Sequence, residues 1–364
     1  MRPDIDQFKF RDEGKAKKIL NEIEKSDQDL KLMHVCGTHQ DTLVRHGLEP
    51  LLEEVGVEIV QGPGCPVCVT TQKEIEEMIK LAQEGKKIAV FGDMINVPGV
   101  DKTLAETRSE GGDIEVVYSV DDAVKISKNC KKDVIFVSVG FETTVPTTAN
   151  VIAKKPPHNF YILTCNRVIP PALRAILDMG EVDLNGLIEP GHVSTIIGTK
   201  PYEPISDNYS IPQVIAGFEP LDILMSILML LRQVEEGRSE VENEYGRVVK
   251  EEGNKKALDL IEEVFEKKDT KWRGFPEIPE SALSLKKEFD DYSARKNFSY
   301  ILKDIQNKQF EEPEGCLCGG VLRGVIKSSE CELFGDECIP SNPVGPCMVS
   351  QEGACNIEYR YASK

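Results

Sequence analysis

The chain has 364 residues, with 44 Lys and Arg against 62 Asp and Glu and a formal net charge of −18 at pH 7. At 40% hydrophobic and 29% charged residues it has the composition of an ordinary folded protein, long enough for two or three domains. The acid excess excludes nucleic acid and an anionic membrane surface as main partners, because both need a basic face.

The opening MRPDIDQFKFRDEGKAKK is charged where a secretory segment would be apolar, and the longest apolar run, Ile223 to Leu231, is far short of the ~20 residues that span a bilayer. A cytoplasmic address is expected. From residue 30 to about 220, short apolar runs alternate with amphipathic stretches. Strands are predicted at Leu30–Val35, Val57–Gln61, Lys87–Phe91, Ile114–Tyr118, Val134–Val139, Phe160–Thr164 and Gln213–Ala216. Helical spacing covers Thr71–Glu84, Val120–Lys128 and Pro170–Asp178. Strand, helix, strand with Gly- or Pro-marked turns implies α/β layers built on parallel sheets.

Two phrases echo each other, Gly140-Phe141-Glu142-Thr143 and Gly217-Phe218-Glu219-Pro220, each between a strand and a helical stretch. Two α/β domains facing a cleft are therefore expected rather than one large sheet. Beyond them, Ile223–Glu236 reads as an apolar helix, Glu240–Lys268 as a charged solvated helix, Gly274–Ser281 as a linker and Ala282–Asn307 as helical again. From Gly315 the chain is rich in Cys, Gly and Pro, and such a segment needs covalent or metal cross-links to hold its shape. The expected division is a first α/β domain over 1–125, a second over 126–220, and a helical, Cys-rich remainder over 221–364.

In parallel α/β sheets, ligands gather beyond the carboxyl ends of the strands. The segments at those ends are Cys36-Gly37-Thr38-His39, Gly62-Pro63-Gly64-Cys65-Pro66-Val67-Cys68, Gly92-Asp93, Gly140-Phe141-Glu142-Thr143-Thr144, and the loop Glu189-Pro190-Gly191-His192-Val193-Ser194. So many polar, reactive turns at one edge imply a shared cleft. Cys36 reads either as a thiolate, its pKa lowered by a helix start near Thr38, or as a buried core cysteine. Cys65 and Cys68 form a C-x-x-C at a helix start, suited to a redox pair more than to structural metal. Glu142 and His192 read as proton carriers in the cleft or as loop caps, and Asp93, Thr143 and Thr144 as helix caps. His34, Cys130 and Cys165 read as core residues.

Eleven cysteines are present, six of them between Cys316 and Cys355. Six thiols exceed one tetrahedral site: four hold an iron–sulfur cluster or a zinc, and two remain for a disulfide.

These loop phrases, in this order, together with Gly345-Pro346-Cys347-Met348-Val349-Ser350-Gln351-Glu352-Gly353-Ala354-Cys355, closely resemble the HypD family of hydrogenase maturation proteins over almost the whole chain. Gln40 departs from the family, which commonly has Glu there. The resemblance implies a scaffold for the Fe(CN)2CO unit of [NiFe] hydrogenase. It implies work with the small chaperone HypC and with HypE, supplied by HypF, as cyanide donor. It also implies one [4Fe-4S] cluster in a setting similar to ferredoxin:thioredoxin reductase, held by Cys316, Cys331, Cys338 and Cys355, with Cys318 as an alternative to Cys316. Cys318 and Cys347 would then be left as a disulfide pair. By the same likeness Cys36 binds iron, Cys65 and Cys68 are the redox pair, and His39, Gly37 and Thr38, with Thr143 and Thr144, surround the cargo. An iron–sulfur thiol–disulfide oxidoreductase is the alternative function.

Overall fold

The computed structural model describes residues 11–361. Its strands are β1 (Leu30–His34), β2 (Val57–Gln61), β3 (Lys87–Val90), β4 (Ile114–Val116), β5 (Val134–Gly140), β6 (Phe160–Asn166), β7 (Gly186–Pro190), β8 (Gln213–Ala216), β9 (Val241–Asn243), β10 (Phe265–Lys271) and β11 (Glu277–Leu285). One all-parallel sheet has the order β2-β1-β7-β8-β9, a second the order β4-β3-β5-β6, and β10 and β11 form an antiparallel hairpin. The α/β class with two parallel sheets is as expected. The parallel strands are apolar runs because helices cover both faces, and all seven residues of β5 are buried.

The expected boundaries do not follow the strand pairing. β3 and β4, assigned to residues 1–125, hydrogen-bond into the same sheet as β5 and β6. β7 and β8, assigned to 126–220, join β1 and β2 instead. The four-stranded sheet is thus inserted between the two halves of the five-stranded one. The strand that reveals this is β7, read from sequence as part of a loop, yet it lies at the centre of its sheet with every residue buried.

Three later segments also differ. The apolar helix starts earlier, at Pro220, and ends at Glu236, where Gly237 takes φ +65°. Residues 240–268 are not one helix: they contain β9, a helix Lys255–Val264 capped by the Asn254 side chain, and the start of β10. β10 shows no apolar alternation because it is an edge hairpin strand with its charges outward. The expected linker at 274–281 is the hairpin turn running into β11. Trp272, fully buried, anchors that turn: its Nε1–H donates to Ser281 Oγ at 3.0 Å and its ring stacks on Phe141. Among the described residues no helix is long and apolar enough to cross a membrane.

Candidate functional site

Both parallel sheets turn their carboxyl ends toward one cleft of about 410 Å³. The five-stranded sheet contributes Val35, Cys36 and Thr38 after β1, Gly64, Pro66 and Val67 after β2, and His192 after β7. The four-stranded sheet contributes Asp93 and Met94 after β3, Tyr118 after β4, and Gly140, Thr143 and Thr144 at and beyond the end of β5.

Cys36 is the N-cap of a helix, Gly37–Arg45, with extended backbone. Its turn is locked against the next loop, because Gly37 N–H donates to Gly64 C=O at 3.2 Å and Gly62 N–H to His34 C=O at 2.8 Å. Gly64 has to be glycine: a Cβ there would stand 2.2 Å from Cys36 N. The expected lowering of the thiol pKa is not the net result. Burial pushes Cys36 up to about 11, outweighing the His39 and Thr38 N–H groups that favour the thiolate. At neutral pH it is a thiol.

Cys65 and Cys68 form a disulfide, with Cα atoms 5.2 Å apart, across a one-turn helix, Pro66–Val69. Both are fully buried, directly behind the Pro66 and Val67 wall of the cleft. Arg273, at the hairpin turn, fixes this helix from below. Its N–H donates to Val69 C=O at 3.0 Å, its guanidinium to Thr70 C=O at 3.0 Å and Gln72 Oε1 at 3.2 Å, and it pairs with Glu312.

His192 lines the cleft. His39 is fully buried, with both ring nitrogens outside hydrogen-bond geometry, and burial and the neighbouring His34 hold its pKa down at about 3. Thr144 is a helix N-cap without a side-chain cap bond. Glu142 is not among the cleft residues. Its carboxylate accepts the Ile169 N–H at 3.0 Å, its second oxygen has no partner, and burial raises its pKa to about 7. It is the loop cap of the two sequence readings. His34 is a buried core residue whose Nε2 is 2.6 Å from Gln40 Oε1, and Gln40 in turn donates to Glu49 at 3.1 Å. Gln40 thus bridges a histidine and a carboxylate.

Three cleft residues were not read as functional. Glu352 comes from the Cys-rich tail, 316 positions after Cys36, and packs so closely that a Cβ on Gly37 would lie 2.5 Å from its main chain. Burial, and then Asp93, raise its pKa. Asp93, read as a helix cap, instead accepts from Ser350 Oγ at 3.4 Å, within the same tail loop. Tyr118, at the rim, is 91% exposed.

In the tail, Cys318 and Cys347 are within hydrogen-bonding reach of each other but are free thiols, not the disulfide that the resemblance implied. Cys355 shares that contact, and the hydrogen bonds from Cys318 and Cys347 hold its pKa well below the usual thiol value. Cys316 contacts Cys318. Cys338 accepts the Val344 N–H at 3.4 Å, and Cys331 faces Gly315 C=O at 3.8 Å. A Cβ on Gly345 would stand 2.6 Å from both Cys316 and Cys318 Sγ, so glycine keeps the space between these thiols open. Among the described residues no three His, Cys, Asp or Glu side chains already surround one point as ligands. The donor set, soft thiols around a glycine-lined space, fits an iron–sulfur cluster in its chemistry.

The HypD model, described as "Hydrogenase formation hypA family", matches residues 14–362. The chain belongs to the HypD family. It is 47% identical over 351 residues to a "Putative hydrogenase expression/formation protein" of Methanocaldococcus jannaschii, covering 95% of this chain and 96% of that protein. It is 42% identical to hydrogenase maturation factor HypD2 of Bradyrhizobium diazoefficiens over 97% of this chain and 95% of that one. It is 41% identical to HypD of Cupriavidus necator over 97% and 96%.

Proposed function

We infer that the chain has a role in hydrogenase maturation alongside other maturation proteins, as its family membership implies. Within that role we propose that the cleft is the assembly site of the Fe(CN)2CO unit, with Cys36 as the thiolate that holds the iron. The observation that carries this reading is one cleft combining a buried thiol, polar groups from both sheets, and a disulfide immediately behind its wall.

The residue chemistry suits the cargo. Low-spin iron bearing cyanide and carbonyl is soft and prefers sulfur, and coordination to Cys36 replaces the proton that burial retains there. Cyanide nitrogens need donors, which the Thr38, Thr143 and Thr144 hydroxyls and the His192 ring supply. Cleaving a thiocyanate S–C bond into a thiolate and cyanide takes two electrons. A Cys65–Cys68 dithiol releases two electrons and two protons when it closes its disulfide. A [4Fe-4S] cluster held by Cys316, Cys331, Cys338 and Cys355, with Cys318 as the alternative to Cys316, supplies one-electron chemistry when bound. Cys318 and Cys347, in contact, stand as the second thiol pair. HypC would bring a second iron ligand to the open rim near Tyr118, and HypE, charged by HypF, the cyanide.

The alternative thiol–disulfide oxidoreductase needs a protein thiol to reach Cys65 or Cys68, and both are fully buried. The test is infrared spectroscopy of protein co-produced with HypC and HypE. Metal-bound cyanide and carbonyl bands are expected. Their absence, with catalytic disulfide reduction in their place, refutes the assembly reading.

A further inference from the structure

The phrase Gly217-Phe218-Glu219-Pro220 has no part in the chemistry above, yet its phenylalanine touches both histidines of the site. β1, β7 and β8 are neighbours in the five-stranded sheet, and the segment beyond each brings one ring to the same place. His39 follows β1, His192 follows β7 and Phe218 follows β8. The Phe218 and His192 ring centroids are 3.8 Å apart with the planes 24° from parallel. His39 lies 5.3 Å from the same phenyl ring at 34°. Tyr245 closes against its edge at 5.6 Å and 82°. The main chain is pinned as well, because Thr42 Oγ1 donates to Phe218 C=O at 2.7 Å.

Among the described residues, His192 is hydrogen-bonded through its main chain, its carbonyl accepting from Thr195 Oγ1 at 2.6 Å, and not through its ring. The stack therefore sets where the imidazole points, while its nitrogens stay available to a ligand. A hydrogen bond would orient the ring only by using up one of them. We propose that Phe218 is a positioning residue of the cleft: one phenyl ring stacks on His192, packs at a tilt against His39, and fixes both imidazoles relative to Cys36. This rests on the assembly reading for its purpose, though not for its geometry.

The test uses full-length protein with isotope-labelled histidine, the His192 and His39 ring signals being assigned from His192→Gln and His39→Gln. In the unmutated protein, nuclear Overhauser contacts should join the Phe218 ring to both imidazoles. Phe218→Leu, which keeps apolar bulk but no flat face, should shift both sets of ring signals and leave His46 and His158 in place. Cyanide and carbonyl band intensity should fall about two- to tenfold, the range an aromatic pair commands. Phe218→Tyr, which keeps the flat aromatic face, should restore signals and bands.

Unmoved His192 signals in Phe218→Leu overturn the proposal, and so does a shift shared by all the histidines, which marks general loosening. Missing Overhauser contacts in the unmutated protein overturn it even if Phe218→Leu fails to fold. Ring shifts as expected in a protein that never acquires the infrared bands support the clamp and refute the assembly reading instead.

Discussion

Replacing Gly64 with alanine drives a methyl group into the main chain of the Cys36 turn. Its Cβ would stand 2.2 Å from Cys36 N, 2.3 Å from the Val35 carbonyl carbon and 2.5 Å from Cys36 Cα, where ordinary contact starts at 3.4 Å. All three are backbone atoms, so no change of rotamer relieves the overlap. One loop has to retreat by about 1.2 Å (3.4 less 2.2), which strains the Gly37 N–H to Gly64 C=O bond that joins the two loops. Overpacking of this kind costs about 1–3 kcal/mol, within what a chain of this size tolerates. A displacement near 1 Å at a ligating atom costs about a hundredfold in chemistry. Gly64→Ala should therefore keep its circular dichroism, melt a few degrees lower, and lose roughly a hundredfold in cyanide and carbonyl band intensity. Gly85→Ala is the control: its φ of +79° makes alanine strained, but nothing lies within 4 Å. It should lose stability alone. Normal loading of Gly64→Ala, or an equal loss in Gly85→Ala, refutes the reasoning.

Cys36→Ala should abolish the infrared bands at a stability cost of about 1 kcal/mol and leave the visible absorption of the proposed iron–sulfur cluster unchanged; a protein that still loads would show Cys36 to be a plain core residue. Cys338→Ala should do the reverse to the absorption, bleaching it and loosening the tail, as limited proteolysis would report. Glu142 has a pKa raised to about 7 in the folded chain, so its contribution to stability is full below the ordinary value of 4.5 and lost as pH rises through 7. Glu142→Gln, neutral throughout, should accordingly gain on the parent between pH 5 and 8, by about 3 kcal/mol at most; parallel melting curves would show the carboxyl to be solvated. Arg273→Ala should cost about 3 kcal/mol and speed alkylation of reduced Cys65 and Cys68, because among the described residues its guanidinium makes the hydrogen bonds that tie Thr70 and Gln72 to the hairpin; unchanged alkylation would mean that the one-turn helix holds itself.

The reactive loops were legible because each is a Gly-marked turn after an apolar run, and both properties are local. Cys36, Cys65 and Cys68 needed no knowledge of their neighbours. β7 was missed because Gly-Leu-Ile-Glu-Pro carries an acid and a proline, whereas Glu189 is fully buried with both oxygens unpartnered and burial holds its pKa well up. With that strand unread, the sheets were cut at the wrong places. Glu142 was visible as part of a motif, but the Ile169 N–H it caps lies 27 residues on. Asp93, Glu352 and Phe218 act through partners from distant segments, and no spacing rule along the chain joins them.

The closeness of Glu352 to Gly37 also fixes a timetable. Ribosomes add ~5–20 residues per second, so roughly 15–60 s separate the emergence of the Cys36 turn from that of the residue that completes its wall. Within that interval β1 also waits for β7, its central neighbour. A nascent chain thus carries Cys36, Cys65 and Cys68 before the fold that buries them is complete. A truncated or stalled chain therefore has every cysteine of the front loops but lacks Glu352, the part of the cleft wall that the tail supplies.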